Sequence, residues 1–216
     1  TGNWQAQTVI PAKQAIPLGK ELSVEQAAMF FVNPATAYVM TRQVLCVPRG
    51  EWLLQTAAGS ALGKMVIRLG RQFGFRTLNV VRRQEQIDEL KSDELPAAVA
   101  ELTGGRGVRF AIDPVGGPLG SAVVKSLAPG GRMLLFGTLS NEPLSFSPRD
   151  LMTPGAEIRG FWLSNYMNSL KLIGKLKLVK TVAKLIRDGV LTAEVGHTFP
   201  LENVTEAVKA AEQPGR

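Results

Sequence analysis

The chain has 216 residues, 45% of them hydrophobic and 20% charged, which leaves room for one full domain with its own core and excludes a disordered or collagen-like protein. One cysteine, Cys46, and one histidine, His197, exclude an intramolecular disulfide and a Cys/His zinc cage within the chain. The net charge of +7 favours anionic partners, among which nucleotides, acyl-CoA, nucleic acid and membranes all qualify.

No apolar run reaches the ~18 to 20 residues of a bilayer span, and no secretory pattern opens the chain, so a cytoplasmic or organellar protein is expected. Residues 5–11 read as a strand with no partner before it, which suggests truncation. Ser23-Val24-Glu25-Gln26 fits a capping box, so a helix is expected to start there. Residues 51–55 read as a buried strand, followed by a small-residue turn and a helix with Leu62, Val66, Leu69 and Phe73 on one face. Further strands are expected at 76–81, 108–112, 132–136 and 156–162, each set off by glycine-containing turns or breaks.

A basic segment follows, with Leu172, Leu176, Val179, Ala183 and Ile186 at helical spacing and Gly174 weakening its first turn. Its lysines, among them Lys171, Lys175, Lys177, Lys180 and Lys184, read as the solvated side of a helix covering the sheet rather than as a membrane-surface helix. Residues 197–200 are expected to be extended, and a last helix to run over 201–211. Strands alternating with helices predict an α/β fold with a Rossmann-type, doubly wound parallel sheet.

The turn after the first strand, Thr56-Ala57-Ala58-Gly59-Ser60-Ala61-Leu62-Gly63, lies where dinucleotide-binding units carry glycines. On GxGxxG spacing the three positions are Ala58, Ser60 and Gly63, so only the glycine needed for close helix–strand packing remains. Small residues still let a pyrophosphate approach free N–H groups and the positive end of a helix. The second strand leads into Val80-Val81-Arg82-Arg83. An acidic residue there would accept the ribose 2′-hydroxyl, whereas guanidinium forks suit a 2′-phosphate, so NADP(H) is the expected cofactor.

Phe31-Val32-Asn33-Pro34-Ala35-Thr36-Ala37-Tyr38, the turn at 57–63, Asn79-Val80-Val81-Arg82-Arg83 and Arg159-Gly160-Phe161-Trp162-Leu163-Ser164 together resemble the medium-chain dehydrogenase/reductase superfamily, and within it the zinc-independent 2-enoyl thioester reductases of mitochondrial type. The resemblance implies an NADPH-dependent reduction of a 2-enoyl thioester carried by CoA or acyl-carrier protein. It implies a homodimer, no nucleic-acid or membrane partner, and a place in the bacterial cytoplasm or the mitochondrion. It assigns Asn33 to the nicotinamide half of the cofactor, Gly59, Ser60, Ala61 and Leu62, ahead of Gly63, to the pyrophosphate, and Arg82, Arg83 and Gln84 to the 2′-phosphate. Phe136, Gly137, Thr138 and Leu139, with Phe161, Trp162 and Leu163, would hold the nicotinamide.

The resemblance divides the chain into 1–22, the remnant of a GroES-like β-rich catalytic domain, 23–200, the dinucleotide-binding domain with the helices leading into it, and 201–216, a helix returning to the catalytic domain. The general-acid tyrosine of these reductases is expected outside the chain, since neither Tyr38 nor Tyr166 matches its motif, and a third strand expected near 91–93 is missing. No metal is expected, because Asn33 stands near the position of a zinc-ligating cysteine in zinc-dependent relatives. Cys46 is expected to be a small buried hydrophobe and His197 to be structural. A zinc-independent NADPH quinone reductase is the nearest alternative, and a non-enzymatic nucleotide- or nucleic-acid-binding protein the alternative of a different class.

Overall fold

Along β1 (Trp52–Gln55), Leu53 and Leu54 are both buried, and because successive strand residues face opposite ways, both faces of the strand must be covered. The computed structural model describes residues 4–12, 15, 18, 22–81 and 94–212. Among them, β1, β2 (Arg76–Asn79), β3 (Val108–Asp113), β4 (Leu127–Leu135) and β5 (Glu157–Gly160) form one parallel sheet in the order β2-β1-β3-β4-β5.

The sheet separates two apolar clusters. Leu53, Phe110, Ile112 and Leu134 pack on one face with α2 (Val32–Tyr38), α3 (Ala61–Phe73) and α8 (Leu172–Arg187). Leu54, Val108, Ala111 and Met133 pack on the other with α4 (Leu95–Thr103) and α5 (Gly117–Lys125). This is a doubly wound α/β sheet of Rossmann type. The remaining helices are α1 (Val24–Ala28), a π-helical continuation of α2 (Val39–Val44), α6 (Arg149–Met152), α7 (Leu163–Ser169) and α9 (Val204–Glu212).

The capping box forms as expected: Gln26 N–H donates to Ser23 Oγ at 3.2 Å and Ser23 N–H donates to Gln26 Oε1 at 3.0 Å. Other expectations change. Residues 5–11 make no strand, and Val9 is fully exposed, because no described strand lies beside them to take their backbone hydrogen bonds. β2 stops at Asn79 and β5 at Gly160, since their sheet neighbours end in the same row, whereas β4 starts earlier than expected, at Leu127, across a register shift against β3.

α8 runs unbroken through Gly174, but its buried stripe is Leu178, Val182, Leu185 and Ile186, while Leu172 and Leu176 are exposed. The helix has more apolar residues than one face can use, and packing against α2 selects the face. The residues near 91–93 lie outside the described set. Among the described residues β2 pairs only with β1, so it forms one edge of the sheet.

Candidate functional site

The parallel register brings the carboxyl ends of the strands into one row, with Gln55 opposite Asn79 and Ile112, Asp113 opposite Leu135, and Leu135 opposite Gly160. After β1 the chain enters α3 on one face, and after β3 it enters α5 on the other, which opens a crevice at the switch point. Thr56 Oγ1 donates a hydrogen bond to Asp113 Oδ1 across this gap.

Ser60 caps α3 in an extended conformation and its Oγ accepts the Gly63 N–H at 3.1 Å. The N–H groups of Ala61 and Leu62 lie in the first turn, where no carbonyl of their own helix can reach them. Gly63 is required by close approach: a Cβ there would lie 2.5 Å from the Ala58 carbonyl oxygen. Gly59 is different, because a Cβ there would meet nothing within 4 Å. The turn is tied to the end of the second strand by Ala58 N–H donating to the Val80 carbonyl at 3.0 Å.

Above this floor lies a cleft of about 750 Å³. α2 and the residue before it contribute Phe31, Val32, Asn33 and Thr36; the turn and α3 contribute Ala57, Ser60, Ala61 and Leu62. Pro114, Phe136, Gly137 and Leu139 come from the loops after β3 and β4, and Phe161 to Ser164, Met167 and Asn168 from beyond β5. None of these lining side chains is charged. Gly137 passes so close to Pro114 that a Cβ would sit 2.8 Å from its carbonyl oxygen, and Leu139 N–H donates to that oxygen at 3.0 Å. Trp162 is 65% exposed and Leu139 is 72% exposed, so two large apolar walls stand open.

The structure therefore brings together Asn33, Ser60, Ala61, Leu62, Phe136, Gly137, Leu139, Phe161, Trp162 and Leu163. Gly59 and Gly63 shape the turn without lining the cleft, and Thr138 lines a neighbouring cavity of about 620 Å³. Arg82, Arg83 and Gln84 lie outside the described residues. The sequence reading missed Thr36, Pro114, Met167 and Asn168, and above all the Thr56–Asp113 tie; the signal for the last was a strand ending in Asp113-Pro114-Val115-Gly116-Gly117, a turn in which aspartate can bind the following N–H groups.

Tyr166 belongs to the neighbouring cavity, whose walls include Phe136, Gly137, Phe161 and Trp162, all shared with the first. Its hydroxyl donates to Gln43 Oε1 at 2.6 Å. Burial holds its phenol above the ordinary value, and the nearby Cys46 and Tyr38 groups push in the same direction. Cys46 itself is exposed, not buried: the chain leaves the π-helix there with φ of 51°, a left-handed turn that directs the side chain away from the core. His197 meets Phe199 edge-on at 6.3 Å.

The fold and the cleft define an α/β domain of Rossmann type, open at the carboxyl ends of its strands. The family model described as zinc-binding dehydrogenase matches residues 61–179, and the chain belongs to that family. Among the described residues no three His, Cys, Asp or Glu side chains gather into a group that could hold a metal ion. The human mitochondrial enoyl-[acyl-carrier-protein] reductase is 30% identical over 229 residues, covering 99% of this chain and 61% of its own length. The rat protein of the same name is 28% identical over 231 residues, with 99% and 61% covered.

The chain thus spans 61% of the length of these relatives. Among solved structures, a putative NADPH:quinone reductase from Bacillus thuringiensis superposes with a TM-score of 0.86 at 26% identity, covering 95% of this chain and 66% of that one. The Etr1p complex with NADP and crotonyl-CoA shares the fold, with a TM-score of 0.73 at 23% identity and 90% and 60% coverage.

The two glycines of the turn separate packing from open space. Gly63→Ala is expected to lower stability by about 1–3 kcal/mol, and Gly59→Ala to change it by no more than about 0.5 kcal/mol, as read from denaturant midpoints measured side by side; equal losses would refute the close-packing argument.

Tyr166 is expected to lose its proton above pH ~10 in ultraviolet difference titration, with Tyr166→Phe removing the late-titrating phenol. Because the unfolded chain ionises that phenol first, its contribution to folding stability is fully present below pH ~10 and is lost as pH rises from there through the folded-state value. A Tyr166 titrating below the ordinary phenol value would contradict the burial argument.

Proposed function

We propose that this chain is the cofactor-binding part of an NADPH-dependent reductase that saturates the C=C bond of 2-enoyl thioesters. The observation that carries the reading is the cleft at the carboxyl ends of the strands, whose described lining, with Asn33, Ser60–Leu62, Phe136–Gly137 and Phe161–Leu163, holds no charged side chain. The likeness to proteins named enoyl-[acyl-carrier-protein] reductase supports the substrate class. A reduced dinucleotide bound there supplies a hydride equivalent to the β-carbon, and a proton completes the addition at the α-carbon.

The chain's part is to bind and orient. The free N–H groups of Ala61 and Leu62 and the dipole of α3 offer the diphosphate its donors. Phe136, Gly137, Leu139 and residues 161–163 offer the nicotinamide backbone and apolar surface. Asn33, on α2, offers an amide on the opposite wall. Among the described residues no tyrosine lines the cleft, so the acid that quenches the enolate is assigned elsewhere. Arg82 and Arg83, which follow the second strand in sequence, are assigned to the 2′-phosphate, and the functional assembly to a homodimer.

One observation favours a second reading: the solved structure with a TM-score of 0.86 is a putative NADPH:quinone reductase. Turnover of crotonyl-CoA and of a quinone by the full-length protein separates the two, and quinone reduction without crotonyl-CoA reduction would overturn the thioester assignment.

Arg82→Ala is expected to weaken NADPH binding by roughly tenfold to a hundredfold, as one charge-assisted hydrogen bond implies, while leaving NADH nearly unchanged in calorimetry. Equal effects on the two nucleotides would remove the phosphate assignment.

A further inference from the structure

Among the described residues Asp113 is the only charged side chain that is buried, with 0% exposure. A carboxylate so enclosed needs compensation, and no salt bridge among the described residues supplies it. Its donors are neutral. Thr56 Oγ1 donates to Oδ1, Val115 N–H donates to Oδ1 at 2.9 Å, and Gly116 N–H donates to Oδ2 at 2.9 Å. Gly120 closes the remaining side, where a Cβ would lie 2.6 Å from Oδ2.

Each donor belongs to a segment adjoining the cleft. Thr56 precedes Ala57, and Val115 follows Pro114, both of which line it. The loop at 114–115 carries the next one: Phe136 N–H donates to the Asp113 carbonyl at 3.1 Å, Leu139 N–H to Pro114 at 3.0 Å and Ser140 N–H to Val115 at 2.8 Å. The carboxylate thus holds the turn after β1 and the loop after β3, and through the latter the strip 136–140.

We propose that Asp113 is a positioning residue for the nicotinamide half of the cofactor: it touches no ligand, but its carboxylate sets the spacing between the turn after β1 and the loops after β3 and β4. The inference rests on the cofactor reading above. It assigns the adenosine 2′-phosphate end to a different part of the chain, so the two ends of NADPH must respond differently when the carboxylate is changed. In Asp113→Asn the side chain keeps its shape but one acceptor becomes a donor, opposing an N–H or hydroxyl that pointed at it.

Calorimetry on the full chain with two probes tests this. For NADPH the dissociation constant of Asp113→Asn is expected to rise about tenfold or more, and for adenosine 2′-monophosphate, which has no 5′-phosphate to reach that turn, to stay within about twofold. Thr56→Val, which removes one donor and leaves the carboxylate, should show the same selectivity in weaker form, and Thr56→Ser should bind like the wild type. If Asp113→Asn does not fold, the Thr56 pair carries the test.

Unchanged NADPH binding in these variants, or equal loss of both probes, overturns the positioning role while wild-type NADPH binding leaves the cofactor reading standing. A wild-type chain that binds neither probe overturns both.

Discussion

A single hydrogen bond, from the Thr56 hydroxyl to the Asp113 carboxylate, spans the place where the sheet's connections part company. The parting is forced by packing. α3 must bury Leu62, Met65, Val66 and Leu69 on one face of the sheet, whereas α5 buries Ala122, Val123 and Val124 on the other. The chain therefore leaves β1 and β3 in opposite directions, and the N–H groups of Ala61 and Leu62 at the start of α3 are left without a carbonyl of their own helix. A parallel sheet covered on both faces has few other places to leave backbone groups free for a ligand.

That constraint explains how a turn with most of its usual glycines replaced can still serve. Ser60 caps α3 and Gly63 admits the Ala58 carbonyl, so the two features that determine the helix approach are kept. Ala57 takes a left-handed φ of 50° that glycine would adopt more cheaply. The turn holds because it is fastened at Ala58 to Val80 and at Thr56 to Asp113, not because its residues favour it locally.

Local pattern was enough for the features that depend on neighbours in sequence. The strands were legible as short apolar runs because Leu53 and Leu54, or Ala111 and Ile112, are buried on both sides, and the capping box at Ser23 needs only four residues. The cleft was legible in part, since its loops follow strands. What stayed hidden depends on distance. Thr56 and Asp113 are 57 positions apart and neither residue type is unusual for its place. In α8 two apolar stripes compete, and the choice of Leu178, Val182 and Leu185 over Leu172 and Leu176 is made by the helices it meets. Cys46 has an apolar neighbourhood in sequence, but the backbone turn at its own position decides where the thiol goes.

The distribution of charge completes the picture. The chain as a whole carries +7, yet among the described residues no charged side chain lines the cleft. A cation inside would attract phosphates, but in the proposed reaction its field would also act on the reacting carbons. Oriented N–H groups at the start of α3 provide partial positive charge without a mobile counterion, and they act within the first turn only. Apolar walls such as Phe136, Phe161 and Leu163 lower the local dielectric, so those few dipoles count for more than they would in water. The buried carboxylate of Asp113, held by three neutral donors, fixes the loops around that cleft without itself lining it.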